Sequence, residues 1–347
     1  MNPEQFGKGA IVDRVDLRDH QWSEVGFGAA PFDWTKPYDI ETLLGRKLPI
    51  KNQGAAGSCG GQAWSSYASA LEALDDKTFE ERSAKFIYAQ TCVQPAGSYG
   101  RDNAEVFVKQ GVAREAVLTS YENGLPPSEA FMQRSQDITT ESRIDAALDK
   151  AFSYANVNCD INSVAQAIEA NKGVILGVCG SNNGTWINAN PQPPTTVEWR
   201  HWVYAGKVRM LNGVKQIGLV NSWGDTVGET GWQWLNEDYF TSGNIFQVWT
   251  HVFNSTPSPA VFKHNFTKSM KYGENGAEVL ALQTALQVDG TFTKLVAPTG
   301  FYGNITAKAV LDFQLKYALA EKNYLISLGG KNTGPLTLAK LNSLFNK

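Results

Sequence analysis

A cysteine, a histidine, an asparagine and a glutamine stand in this chain in settings that suit covalent chemistry on a carbonyl carbon. Cys59 lies in the run Gln53-Gly54-Ala55-Ala56-Gly57-Ser58-Cys59-Gly60-Gly61-Gln62-Ala63-Trp64. Beyond it, apolar residues recur at Ala63, Tyr67, Ala70, Leu71 and Leu74, which is helical spacing. Ser58 suits the N-cap, so Cys59 falls in the first turn, where free backbone N–H groups and the helix dipole favour an anion. Such a setting lowers a thiol pKa and favours the reactive thiolate. The expectation is a partly exposed nucleophile on a glycine turn.

A nucleophile needs a base, and the base needs something to orient it. The four histidines are His20, His201, His251 and His264. His201 opens the strand-like run His201-Trp202-Val203-Tyr204-Ala205, and Gln216-Ile217-Gly218-Leu219-Val220 is a second such run ending in Asn221-Ser222-Trp223-Gly224. Asn212-Gly213 between them signals a hairpin. Paired antiparallel, the two runs bring His201 towards Asn221, whose side-chain carbonyl can accept a ring N–H and fix the imidazole. The other three histidines read as surface or locally bonded residues. Cys92 and Cys179 sit in apolar runs and read as small core hydrophobes. No cysteine or histidine spacing suits a zinc site, and no metal or organic cofactor is expected.

Taken in order, Gln53 six residues before Cys59, then Gly57-Ser58-Cys59, His201 and Asn221-Ser222-Trp223-Gly224, with Gly228 and Gly231 downstream, resemble the papain-like cysteine peptidase family over roughly residues 10 to 253. The resemblance implies an α+β fold of two lobes, one helical and one of antiparallel strands. It implies that Cys59 attacks the scissile carbonyl, His201 holds the thiolate as an ion pair and protonates the leaving amine, and Asn221 orients His201. Gln53 and the Cys59 backbone N–H would hold the oxyanion, and Trp223 would shield the Asn221–His201 bond from water. The chain departs from the family's pattern at Gly60, where an aromatic is usual, and at Val227, where a second Trp is common. It departs again at Trp202, where the residue after the histidine is usually small. Gly60, Trp202 and Trp223 are therefore the candidate substrate-lining residues, and Trp202 is expected to narrow the pocket for the second residue upstream of the cut. The family's cysteine three residues before the nucleophile is Ala56 here. Setting Cys59 aside leaves Cys92, Cys159 and Cys179, which does not make a disulfide framework, although a Cys159–Cys179 pair stays open.

Helical patterns at about 59–75, 83–93, 102–111 and 160–171 form one group of elements, and mostly strands follow from 173 onward. Residues 1–30 read as a leader that packs on the fold rather than a removable inhibitor; Asp16-Leu17-Arg18-Asp19 within it is similar to leaders of prokaryotic family members. The peptidase domain is placed at 31–253. No signal peptide pattern opens the chain, and no apolar run is long enough to insert in a membrane.

The remainder has a different texture. Asn254-Ser255-Thr256-Pro257-Ser258-Pro259 opens a linker placed at 254–268. Residues 269–347 then show three helical patterns, the last opened by Gly334-Pro335. Leu282-Gln283, Thr299-Gly300 to Gly303, Ala309-Val310, Phe313-Gln314 and Gly334-Pro335 resemble the small all-α, three-helix peptidoglycan-binding domain. From residue 265 on the formal charge is +4, against −7 for the residues before it, which suits an anionic cell wall. The basic residues are too sparse to indicate nucleic acid. The combined expectation is a cysteine endopeptidase, acting on peptide or protein substrates, held on bacterial peptidoglycan and working at the cell wall or outside the cell after release, as an endolysin does. Two alternatives are a non-catalytic wall-binding or virion structural protein on a peptidase-like fold, and an acyl transferase using the same Cys-His-Asn site.

Overall fold

The computed structural model describes residues 3–16, 19–25, 30–76, 79–147, 153–252, 262–292 and 298–346. The chain divides into two compact units, Met1–Phe253 and Asn254–Lys347.

In the first unit the helix Cys59–Asp76 begins at the residue after Ser58, whose carbonyl accepts the Gln62 N–H at 3.0 Å. The Ser58 hydroxyl takes the Gln62 side chain at 3.4 Å. Ser83 caps the next helix, Ala84–Thr91, by accepting the Phe86 N–H. Helices Gly100–Gln110 and Ile161–Asn171 follow close to their expected limits. The short helix Glu129–Met132 went unread in the sequence, because four residues carry no periodicity.

Nine strands are described in this unit: β1 (Ala10–Ile11), β2 (Tyr38–Asp39), β3 (Ser98–Tyr99), β4 (Ser153–Asn156), β5 (Val174–Gly180), β6 (Trp199–Leu211), β7 (Val214–Val220), β8 (Trp232–Asn236) and β9 (Ile245–Val252). The antiparallel sheet runs β4-β9-β5-β6-β7-β8, with β2 pairing to β6, while β1 and β3 form a separate parallel pair. The β6–β7 hairpin turns on Asn212 and Gly213, at φ +51° and +79°. Positive φ at both central residues matches the right-handed twist of paired strands, and Asn-Gly adopts it at little cost. Val174, Leu176 and Val178 of β5 belong to a core behind the sheet with Val164 and Ile168 of Ile161–Asn171. A second core joins Trp64, Tyr67 and Leu71 of the nucleophile helix to Ile175, Trp202, Tyr204 and Trp249 of the sheet. The two lobes therefore interlock through large aromatic side chains at the base of Cys59–Asp76.

The second unit is all helical: Ala277–Asp289, Asn304–Lys316, Lys322–Leu328 and Pro335–Phe345. The short third helix adds to the three expected. Part of the expected linker, residues 254–261, lies outside the described residues, and its remainder is built into this unit. His264 N–H donates to Phe345 O at 2.9 Å, Phe266 N–H to Asn342 Oδ1 at 2.7 Å, and Phe266 is buried. An internal repeat emerges here. Gln283 Nε2 donates to Phe301 O and Thr306 Oγ1, and Gln314 Nε2 donates to Asn332 O and Thr337 Oγ1, each partner displaced by thirty-one residues. Each threonine is the third residue of its helix, so a glutamine from one helix pegs the start of another.

Candidate active site

Four separate elements bring the candidate residues together. Gln53 and Cys59 flank the glycine turn before the helix, His201 is the third residue of β6, and Asn221 follows the last residue of β7. His201 Nε2 lies 3.0 Å from Asn221 Oδ1. Trp223 covers this pair, its ring centroid 4.9 Å from the imidazole. The N–H of Trp202 points at Cys59 Sγ, 3.5 Å away, so the thiol meets β6 one residue beyond the imidazole. His201 Nδ1, the ring nitrogen not engaged by Asn221, is buried and has no hydrogen-bond partner among the described residues, Cys59 included.

Three residues that sequence reasoning did not assign hold these groups in place. Ser222 Oγ donates to Gln53 Oε1 at 2.5 Å, which fixes the glutamine amide with its nitrogen towards the turn. Gln233 is fully buried on β8; its Oε1 accepts from Asn221 Nδ2 at 2.8 Å, and its Nε2 donates to Trp186 O and Asn188 O. With its nitrogen held there, Asn221 presents its oxygen to His201. The signal for Gln233 was an uncharged polar residue inside Trp232-Gln233-Trp234-Leu235, where a buried amide must find partners. The third is Glu129, whose carboxylate accepts the Gly57 N–H at 2.5 Å, and no local pattern marks it.

The cleft is covered, and this corrects the expectation of a partly exposed, low-pKa cysteine. Residues 6–11 run across the nucleophile. Phe6 stacks on Trp223 at 5.1 Å, Gly7 N–H donates to Gly54 O, and Gly7 O accepts from Gln53 Nε2 at 3.0 Å. The backbone amides of Trp202, Gly9, Gly60 and Cys59 itself all favour the charged form of the Cys59 thiol. Ala10–Ile11 pairs with Ser98–Tyr99, and Asp13 accepts from Arg101 N–H and Trp249 Nε1, each at 3.2 Å. The fit depends on two glycines. A Cβ on Gly7 would lie 1.9 Å from Ala56 O, and one on Gly9 1.9 Å from Gly57 O. Cys59 and His201 are consequently both fully buried. Burial pushes the Cys59 thiol up to about 11 despite its backbone donors. Burial pushes His201 down to about 4, with the Asn221 bond pulling it up and the charge of Lys8 pushing it further down. Both groups are therefore neutral near pH 7, as expected for ionisable groups taken out of water.

The remaining candidates lie as follows. Trp202 is fully buried; its ring packs on Phe246 at 5.0 Å and its Nε1 donates to Ser98 O at 3.1 Å. A Cβ at Gly60 would meet Asn103 Nδ2 at 2.2 Å and Ser98 Oγ at 2.6 Å, so its open side is already filled. Val227 is buried in the core behind the sheet. All four cysteines are free thiols, Cys159 and Cys179 included.

No protein-family model and no curated protein matches this chain in sequence. Solved structures match in fold, and they define its class: the first unit has the two-lobed fold of papain-like cysteine proteases. One particular match is xylellain, a cysteine protease from Xylella fastidiosa, at 22% identity and a TM-score of 0.58 over 72% of this chain and 96% of that one. Procathepsin L 3 of the Tenebrio molitor larval midgut matches at 16% identity and 0.52, over 72% and 76% of the two chains. The Amb a 11 cysteine protease of ragweed pollen, in its proform, matches at 19% and 0.51, over 66% and 71%.

Proposed function

We propose that the chain is a cysteine peptidase in which Cys59, His201, Asn221 and Gln53 carry the reaction. The observation that carries this reading is the 3.0 Å His201–Asn221 bond beside a cysteine at a helix start. With the cleft open, water returns to both groups and the proton moves from Cys59 Sγ to His201 Nδ1. The thiolate attacks the scissile carbonyl, forming an S–C bond and an oxyanion held by Gln53 Nε2 and the Cys59 N–H. The C–N bond then breaks as His201 gives its proton to the leaving amine. Water, activated by the neutral imidazole, hydrolyses the thioester and restores the thiol. In the covered cleft Gly7 O already occupies Gln53 Nε2, so residues 6–11 must leave before substrate enters.

With Trp202 packed against Ser98 and Phe246, the peptidase is expected to prefer a small residue two positions before the cut. Equal cleavage of peptides carrying Phe or Leu there would remove this part. The basic second unit would hold the enzyme on peptidoglycan and raise its local substrate concentration. Purified sacculi and an unfolded protein, each with wild type and Cys59→Ala, test the whole reading. Stem-peptide fragments released only by wild type are expected. Cleavage of the unfolded protein alone would keep the peptidase and remove the wall substrate, while no Cys59-dependent cleavage of either would sink the peptidase. With an added amine, an amide product in place of hydrolysis would indicate acyl transfer.

A further inference from the structure

The turn that carries Cys59 is tied to the neighbouring Gly97–Tyr99 wall, which lies between two helices of the same lobe, by a relay outside the four proposed catalytic residues. Glu129 Oε2 accepts the Gly57 N–H at 2.5 Å, two residues before the nucleophile. Glu129 Oε1 accepts the Tyr88 hydroxyl at 2.5 Å and Gln133 Nε2 at 2.6 Å. The Tyr88 oxygen in turn accepts the Gly97 N–H at 2.8 Å, next to the Ser98–Tyr99 strand. Gln133 Nε2 also reaches Pro95 O at 2.8 Å. The two walls touch directly, since a Cβ on Gly57 would lie 3.0 Å from Ala96 Cβ and 3.1 Å from Gly97 N. Beneath them Ala56, Ala84, Tyr88 and Met132 form a small buried cluster of their own. No covalent link joins the walls, because all four cysteines are free.

We infer that Glu129 is a positioning residue, holding the Gly57–Cys59 turn in register with the Gly97–Tyr99 wall so that the Cys59 N–H faces the oxyanion. This rests on the peptidase reading above. The chemistry requires a carboxylate. Gly57 N–H and the Tyr88 hydroxyl are both donors aimed at different oxygens, and a carboxylate accepts at both ends where an amide accepts at one. Bonds of this charge-assisted kind are the strong ones, so the relay can stand where a covalent tie is absent. A glutamine would turn an NH2 towards one of the two donors and release either the turn or the wall.

The test compares two reactions of Cys59 in the full chain. Hydrolysis of a peptide needs the oxyanion donors, whereas alkylation by iodoacetamide needs only the thiolate. Opening of residues 6–11 precedes both, so the ratio of the two rates isolates the turn. Glu129→Gln is expected to lower that ratio about tenfold, the size of one misplaced donor's partial loss. Tyr88→Phe keeps the ring in its cluster, removes only the hydroxyl, and is expected to lower the ratio less, with Tm within about 4 °C of wild type. If Glu129→Gln does not fold, Tyr88→Phe decides alone. An unchanged ratio in the folded variants overturns the inference, and so does a loss of hydrolysis and alkylation in equal proportion. Wild type that alkylates at Cys59 yet cleaves no peptide overturns the peptidase reading and this inference with it.

Discussion

In the helical unit the buried amides of Gln283 and Gln314 each donate to a main-chain oxygen and a threonine hydroxyl. In the first unit the buried His201 has one ring nitrogen on Asn221 and the other on nothing among the described residues. The first arrangement is that of pegs: neutral groups whose bonds are made once, on folding, and whose removal leaves partners stranded. The second is unfinished. His201 and Cys59 are displaced from their ordinary pKa values in opposite directions, down and up, by the same cover. A buried polar group with bonds to spare points to structure. A buried titratable pair whose charges are suppressed by a segment laid across it points to chemistry. The helical unit is not free of leftovers, since Gln314 Oε1 and Asp289 Oδ2 also lack partners, but the first belongs to an amide and the second to a carboxylate whose other oxygen is held by Lys316 and Tyr317.

The sharpest break in this contrast is to remove the cover. Gly9→Val places side-chain carbon where Gly57 O now lies, against backbone that cannot yield. The segment is expected to lift, Cys59 alkylation and peptide hydrolysis to rise together by about tenfold or more, and the helical unit to keep its Tm. Each tenfold corresponds to roughly 1.4 kcal/mol taken from closure. Unchanged alkylation in a folded Gly9→Val protein would mean that residues 6–11 do not govern access.

A smaller effect should appear with pH, and its sign can be worked out group by group. His201 sits at about 4 under the cover against 6.5 in water, so its contribution to closure is whole above 6.5 and lost as pH falls towards 4. Asp13 sits at about 6, raised chiefly by burial and opposed by its Arg101 and Trp249 contacts. Its contribution is whole below 3.8 and lost as pH rises through 6. Between 6 and 4 the two nearly cancel, and wild-type opening should change little with acid. Asp13→Asn removes one side of the balance, and opening should then grow roughly tenfold per pH unit from 6.5 down to 4. Hydrogen exchange at the Gly7 and Ser98 amides, which bond Gly54 O and Gly9 O, reads opening directly. A flat profile in Asp13→Asn would show that His201 is not desolvated by the segment.

What was legible in the sequence follows the same division. The helix at Cys59, the Asn212-Gly213 hairpin and the approach of His201 to Asn221 were all readable, because each rests on local periodicity or turn chemistry. Glu129 and Ser222 were not assigned, since one acts seventy-two residues from its partner Gly57 and the other needs the orientation of an amide. The pKa of Cys59 was read the wrong way. Helix position favours the thiolate, but the cover adds a desolvation cost that outweighs it, and nothing local in Phe6-Gly7-Lys8-Gly9 announces what those residues lie against. The thirty-one-residue repeat is present in the letters at Gln283 and Gln314, yet its meaning depends on Thr306 and Thr337 opening helices.

The smallest effect on chemistry comes from comparing two buried glutamines, one in each unit. Gln283→Leu strands the Gly300 N–H, which bonds Gln283 Oε1 at 2.8 Å, and takes one donor each from Phe301 O and Thr306 Oγ1, which stay bonded to one another. Gln233→Leu strands Trp186 O, Asn188 O and Asn221 Nδ2. Each is expected to cost about 2–3 kcal/mol, by the price of unmade buried hydrogen bonds. Only Gln233→Leu also loosens the Asn221 amide, whose Oδ1 is then fixed by the Ser222 N–H at 2.8 Å alone, and so weakens the acceptor that orients His201. Its kcat should fall about tenfold with KM little changed, while Gln283→Leu hydrolyses small peptides at the wild-type rate. The discriminating measurement is kcat at a temperature well below either unfolding transition. An equal loss from both substitutions would show that catalysis merely follows stability, and that the distinction between pegs and chemistry drawn from their bonds is wrong.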